Sequence, residues 1–248
     1  MNFTFLGTSH GVPSEIRYTS SYMLEVGEKI YIFDAGAPVA DLLLRKDKPL
    51  TSVKALFNSH FHSDHIYGGL QLISLCNWYY KTAETEVYLP HPEFVKVFSD
   101  ILEATDGEIS PRIKINSFAE GVIFDDGIIK VSAIPTMHNY NEKYGKNAYA
   151  FLIEAEGKSI LFTGDMSSDL ASNDFPQIAY ERHIDMIVSE CAHFPVSKLE
   201  ECMAKVNTDI FAISHIHPVT EKIPQLEALA DKYNFELLIV EDDDEVEF

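Results

Sequence analysis

Two tight turns constrain the fold of this 248-residue chain more than any other feature. Gly27–Glu28 separates the apolar runs Ser21–Val26 and Lys29–Phe33, and Ala155–Gly157 separates Ala148–Glu154 from Lys158–Phe162. Connections this short join only antiparallel neighbours, which excludes one all-parallel sheet. Further strand-like runs are Asn2–Leu6, Val53–Asn58, Ile128–Ile134, Asp185–Ser189, Ile210–Ser214 and Glu236–Val240. Helical spacing appears at Ile66–Leu75, Pro92–Ala104, Ser197–Val206 and Pro224–Tyr233. Ser197 and Glu200 stand at the separation of a helix-start capping box. Strands dominate the first quarter and the middle, with helices between strands later. That order predicts an α/β (α+β) fold of two sheets covered by helices. The expected organisation is a single domain over residues 1–240, followed by an acidic tail at 241–248.

A chain of this length buries enough surface to need no covalent staples. Cys76, Cys191 and Cys202 are too few and too widely spaced for a disulfide framework or a CxxC zinc knuckle. The N-terminus has no basic start, and no apolar run approaches the ~20 residues of a membrane span. A cytoplasmic protein without a membrane partner is expected. Acidic side chains number 39 against 19 basic, a formal charge of −20. Glu241, Asp242, Asp243, Asp244, Glu245 and Glu247 supply part of it, but the body is acidic too. Holding a phosphate backbone requires Lys and Arg to displace its counterions. The charge balance therefore argues against nucleic acid and for a small-molecule substrate.

The chemistry concentrates where the run Val53–Asn58 stops. Asn58-Ser59-His60-Phe61-His62-Ser63-Asp64-His65 packs three histidines and a carboxylate into six positions. Imidazole and carboxylate are the usual ligands of zinc and similar ions. In an extended segment His60 and His62 point the same way, and Asp64 and His65 fall at the following helix start. Two overlapping ligand sets suggest two metals a few ångströms apart. His138, Asp165 and His215 also follow strand-like runs, at positions that converge if the strand ends share one sheet edge.

His60-x-His62-x-Asp64-His65, His138, Asp165 and His215, in that order, resemble the metallo-β-lactamase-fold hydrolases, over residues 2–217. Leu6-Gly7-Thr8-Ser9-His10-Gly11-Val12-Pro13, Phe33-Asp34-Ala35-Gly36 and Gly157-Lys158-Ser159-Ile160-Leu161-Phe162-Thr163-Gly164-Asp165 look most like the ribonuclease Z and phosphodiesterase branch. The resemblance implies a four-layer αββα sandwich with a dinuclear site. His60, His62 and His138 would hold the first metal, Asp64, His65 and His215 the second, and Asp165 would bridge them. Zinc is the first choice of metal, with manganese or iron as alternatives. A hydroxide between the metals would be the nucleophile, with Asp64 orienting it or taking its proton. Asp34 would orient an imidazole from behind, or be a plain turn residue.

Leaving-group protonation needs another donor. Val188-Ser189-Glu190-Cys191-Ala192-His193 is similar to the His-Glu-Ala-Thr segment of ribonuclease Z, with Glu190 matching its glutamate. Ser189 departs from the pattern, and Phe194-Pro195-Val196-Ser197 replaces the family's downstream His-Ser-Thr. His193 or His217 is then the candidate donor, with a plain surface histidine as the alternative for either. His10 is a candidate for the pocket wall and Arg17 and Tyr18 for a phosphate, with an ordinary surface loop as the commoner alternative. Trp78, Tyr79 and Tyr80 offer a substrate platform, core packing or an interface. The branch's frequent homodimers make Ile66–Tyr80 a candidate interface strip.

The lactamases proper carry a cysteine where Asp165 stands, so that branch fits less well. The first functional reading is hydrolysis of a small phosphodiester, such as a cyclic nucleotide. A lactonase or thioesterase shares the same nucleophile. A ribonuclease Z-like tRNA 3′-end endonuclease shares the metal site, but no Gly- and Pro-rich arm for holding tRNA is evident. A metal-binding sensor module without turnover is the reading from another class; the water-activating Asp64 argues against it.

Overall fold

The sequence's alternation of hairpins and helical crossovers is realised twice. A computed structural model of the chain describes residues 1–12, 14–138, 143–168, 170 and 174–248. It resolves into two units. The first comprises Met1–Gly7, Tyr18–Ala119 and Asp242–Phe248, and the second Thr8–Arg17 and Glu120–Glu241.

In the first unit, β1 (Asn2–Gly7), β2 (Ser21–Val26) and β3 (Lys29–Ala35) form an antiparallel meander. Helix α1 (Val39–Arg45) then leads to β4 (Val53–Phe57), α2 (Ser63–Trp78), β5 (Thr85–Leu89), α3 (Pro92–Asp106) and β6 (Ile113–Ser117). From β3 onward the pairs are parallel, as helical crossovers require. Phe33, Phe57 and Tyr88 lie in register across β3, β4 and β5, with ring centroids 5.0 and 5.2 Å apart. This aromatic row braces the strand ends that carry Asp34 and Asn58.

The second unit repeats the plan. Strands β7 (Gly121–Asp125), β8 (Ile129–Pro135), β9 (Tyr149–Ala155) and β10 (Lys158–Phe162) run antiparallel. Glu156 and Gly157 both take positive φ in the turn between β9 and β10, the backbone that matches a hairpin's twist. Helix α4 (Ile178–Glu181), β11 (Ile184–Glu190), α5 (Val196–Met203), β12 (Thr208–Ser214), α6 (Lys222–Glu227) and β13 (Glu236–Ile239) follow, with β10 to β13 parallel. Leu161, Ile187, Phe194, Leu199, Met203 and Phe211 belong to its core.

A last strand, β14 (Glu245–Glu247), pairs antiparallel with β1 and completes a seven-stranded first sheet; the second sheet also has seven strands. The acidic run expected as a tail is therefore built in. Val246 is buried opposite Phe3, while Glu245 and Glu247 face outward. Net charge hides this two-residue alternation, because one buried valine among carboxylates barely alters the composition.

The capping box at Ser197 and Glu200 does not form. Pro195 occupies the cap position and makes no side-chain cap bond. Its ring presets the entry dihedral and puts Ser197 inside the first turn. Helix α6 is also shorter than the Pro224–Tyr233 pattern suggests. Among the described residues no helix is long and apolar enough to cross a membrane.

Candidate metal centre

In the first unit the site is built around the end of β3, where the pairing with β2 slips by one residue at Asp34. Asp34 has φ of 53°, is fully buried, and accepts four hydrogen bonds. Oδ1 accepts from Ser59 N (2.7 Å) and Asn58 Nδ2 (3.1 Å). Oδ2 accepts from Ser59 Oγ (2.7 Å) and His65 Nδ1 (2.8 Å). Asn58 Nδ2 also donates to the His65 carbonyl at 2.8 Å. One carboxylate thus ties the end of β4 to the start of α2. It orients an imidazole, the first of the two roles open to it from sequence.

These contacts fix tautomers. The Ser59 hydroxyl has one proton, which the Asp34 carboxylate takes. Ser59 Oγ therefore accepts from His60 Nδ1, 3.1 Å away, and His60 presents a bare Nε2. His65, donating from Nδ1, likewise presents Nε2. His60 Nε2 lies 3.0 Å from His62 Nδ1, and His65 Nε2 lies 3.3 Å from Asp64 Oδ2. Two ligands about 2.0–2.1 Å from one tetrahedral zinc stand roughly 3.3 Å apart, so both pairs are spaced to share an ion. Asp64 and His65 sit in the first turn of α2, which follows His62 at the helix cap.

In the second unit Asp165 ends the strand-loop segment after β10 and is 3% exposed. Its Oδ2 lies 3.4 Å from His215 Nε2, 3.7 Å from His138 Nε2 and 3.8 Å from His193 Nε2. His138 donates from Nδ1 to the Met166 carbonyl (3.1 Å), so it too turns Nε2 inward. Burial, reinforced by the His193 charge, outweighs the pull of Asp165 and keeps the His138 pKa below the ordinary histidine range. A neutral ring is the form that ligates. The donor chemistry of both units fits divalent ions.

Glu190 is buried at the end of β11 and fully engaged. It accepts from Met166 N (2.6 Å), Ala192 N (3.0 Å), His193 N (3.0 Å) and His193 Nδ1 (2.8 Å). His10 and His217 stand beside His215 in this unit, with His10 ring centroids 5.1 Å from His217 and 6.5 Å from His215. Arg17 takes neither of its expected roles. Its buried side chain pairs with Glu241 at 2.9 Å, because the acidic run supplies a carboxylate in reach. Tyr18 N donates to Asp242 Oδ2 at 2.6 Å. Pro13 lies outside the described residues. Trp78 and Tyr79 are more than half exposed at the end of α2, which removes core packing from their options.

Three contributors escaped the sequence analysis. Asn58 and Ser59 look like ordinary strand-end residues; the missed signal is two polar residues preceding ligands at the close of an apolar run. Asp174 accepts from Met137 N (2.6 Å) and Ser167 N (2.5 Å), bracing the segments that carry His138 and Asp165. Asp174 itself lies in a turn, and no apolar run or ligand pattern marks it in the sequence.

Two seven-stranded mixed sheets with helical crossovers, carrying imidazoles and carboxylates at strand ends, are the architecture of the metallo-β-lactamase fold. Within that class, residues 1–218 match the family model described as anti-Pycsar protein Apyc1, and the chain belongs to that family. A ribonuclease Z of Rippkaea orientalis is 31% identical over 134 residues, covering 53% of this chain and 42% of that protein. The matched stretch is thus less than half the length of that curated relative. The metallo-β-lactamase-fold protein YhfI of Bacillus subtilis superposes with a TM-score of 0.80 at 17% identity, covering 99% of this chain and 98% of that one. Human tRNase Z, short form, gives 0.71 at 17% identity, with 100% and 99% covered.

These relatives correct one expectation. Enzymes named ribonuclease Z and tRNase Z stand among the chain's similar proteins, so the inference from charge to a small-molecule substrate, with nucleic acid disfavoured, does not hold. Net charge sums over the whole surface, whereas a substrate meets the local field of a site and of any ions in it.

Proposed function

We propose that this chain is a dinuclear metal-dependent phosphodiester hydrolase. The observation that carries the reading is the tautomer control on both sides: Nδ1 donors at His60, His65 and His138 leave Nε2 for coordination. The proposed ligands are His60, His62, Asp64, His65, His138, Asp165 and His215. Family membership over residues 1–218 supports this set, because all seven fall inside the match. Two divalent ions, zinc by preference, would supply a water of lowered pKa and Lewis-acid stabilisation of charge on the phosphoryl oxygens.

The chain's own groups handle the protons. Asp64 is the carboxylate that takes the proton of the attacking water. Glu190 holds His193 by Nδ1 and leaves Nε2 to protonate the departing alkoxide. Glu190 itself, with four donors on its two oxygens, acts through His193.

The protein purified without chelator and loaded with zinc or manganese is expected to hold two ions per chain and to hydrolyse an aryl phosphodiester. Asp64→Ala should abolish turnover. Fewer than one ion per chain, or turnover of lactones or thioesters alone, would overturn the proposal. Parallel assays with a cyclic nucleotide and a precursor tRNA then rank the phosphodiester substrates.

Ser59→Ala removes the acceptor of His60 Nδ1. Metal affinity, measured by competition with a chromophoric chelator, should fall about 10- to 100-fold, as for other partners of ligating imidazoles. Ser59→Thr keeps the hydroxyl and should restore most of it. Equal affinity in Ser59→Ala would show that the serine does not control His60.

A further inference from the structure

The segment between β11 and α5 carries His193, and two charged side chains hold its backbone. The Glu190 carboxylate takes the N–H groups of Ala192 and His193. Lys222, at the start of α6, takes the carbonyls. Its Nζ donates to Cys191 O (2.7 Å), Ala192 O (2.7 Å) and Phe194 O (2.8 Å). An ammonium has three N–H donors, and each meets one carbonyl. Cys191 and Phe194 are buried, so their carbonyls have little access to water. The Cys191 thiol is no rival to His193 as the segment's reactive group, since burial pushes its pKa up to about 12.

We infer that Lys222 is a positioning residue for His193. It gathers three carbonyls of residues 191–194 so that the imidazole, seated on Glu190, keeps its Nε2 toward Asp165. The lysine does the work that a bound monovalent cation does among carbonyl oxygens, but on a covalent stem that ties the segment to α6. It is half-buried and about 30 residues away in sequence, so no local pattern announces it. Its effect on turnover rests on the proton-donor role proposed for His193; its effect on backbone geometry does not.

The test therefore has two readouts. Lys222→Met keeps the stem and removes the ammonium. Hydrogen exchange of the Ala192 and His193 amides should speed up about tenfold or more, with the amides inside β11 unchanged. In the metal-loaded enzyme kcat should fall about tenfold with KM within about twofold, the pattern of a lost transition-state contact. Lys222→Ala opens an ammonium-sized gap beside the carbonyls, and added ethylammonium should restore part of kcat. If Lys222→Ala does not fold, Lys222→Met carries the test alone. Unchanged exchange at Ala192 and His193, uniformly faster exchange through β11, or no rescue of a folded Lys222→Ala would overturn the inference. If the unsubstituted protein turns over no phosphodiester, the proposed reaction fails while the exchange measurement still decides the role of Lys222.

Discussion

Replacing Gly68 with alanine is expected to destabilise the protein by more than about 3 kcal/mol, although alanine is the better helix former. Gly68 lies inside α2, where the exchange alone would favour folding by about 1 kcal/mol. A Cβ there would stand 1.6 Å from the Ala37 carbonyl oxygen and 2.7 Å from its carbon. Both are backbone atoms, so no side-chain rotation relieves the overlap. The neighbouring contact is of the same kind: a Cβ on Gly36 would meet the Asp64 carbonyl oxygen at 1.7 Å. The two glycines let the start of α2 lie directly against the turn after β3, and that contact brings His65 within reach of Asp34. Denaturant midpoints of the variant and the parent protein check the prediction. Gly27→Ala is the control: it meets nothing within 4 Å and has only its positive φ to overcome, at a cost of roughly 1–2 kcal/mol. A Gly68→Ala protein as stable as the parent would mean that α2 can move away from the turn without loss.

Asp165→Ala is expected to lower phosphodiester turnover by about three orders of magnitude, or roughly 4 kcal/mol of transition-state stabilisation. Three imidazole nitrogens face its Oδ2 at 3.4–3.8 Å, more than face any other carboxylate oxygen among the described residues of the second unit. Removing it takes the negative charge from a cluster otherwise composed of neutral or cationic rings, so ion content should drop as well. Its main chain also serves the fold, because Thr136 Oγ1 donates to the Asp165 carbonyl at 2.8 Å, and that bond survives the substitution. The variant should therefore unfold near the parent's midpoint when both are free of metal. Ion content and steady-state turnover on the same preparation provide the check, and retention of two ions with near-normal turnover would refute the central role of Asp165.

Much of this was legible in the sequence because it follows from periodicity and spacing. The hairpins at Gly27 and at Glu156–Gly157 announced antiparallel pairs, and dense ligand types at a strand end announced a candidate metal centre. Strands β5, β6 and β7 were not recognised. Thr85–Leu89 and Ile113–Ser117 interleave polar residues, and Gly121–Asp125 is largely exposed, so none stands out as an apolar run. The supports of the site were hidden for another reason. Asn58, Ser59, Asp174 and Lys222 act through partners distant in sequence or through main-chain atoms, and neither leaves a local signature. The burial of Arg17, which fits neither a phosphate contact nor a surface loop, was hidden because its partner, Glu241, is 224 residues away.

The strand Glu245–Glu247 also changes what the rim of the first sheet offers to other chains. An outermost strand exposes a row of backbone donors and acceptors that can template further pairing. Here the row is flanked by the outward carboxylates of Glu245 and Glu247 and preceded by Asp242, Asp243 and Asp244. A second molecule adding its own copy of this strand would bring like charges side by side, which opposes pairing. The acidic run thus closes the sheet with a strand that resists extension, and part of the protein's charge guards against fibre-like assembly.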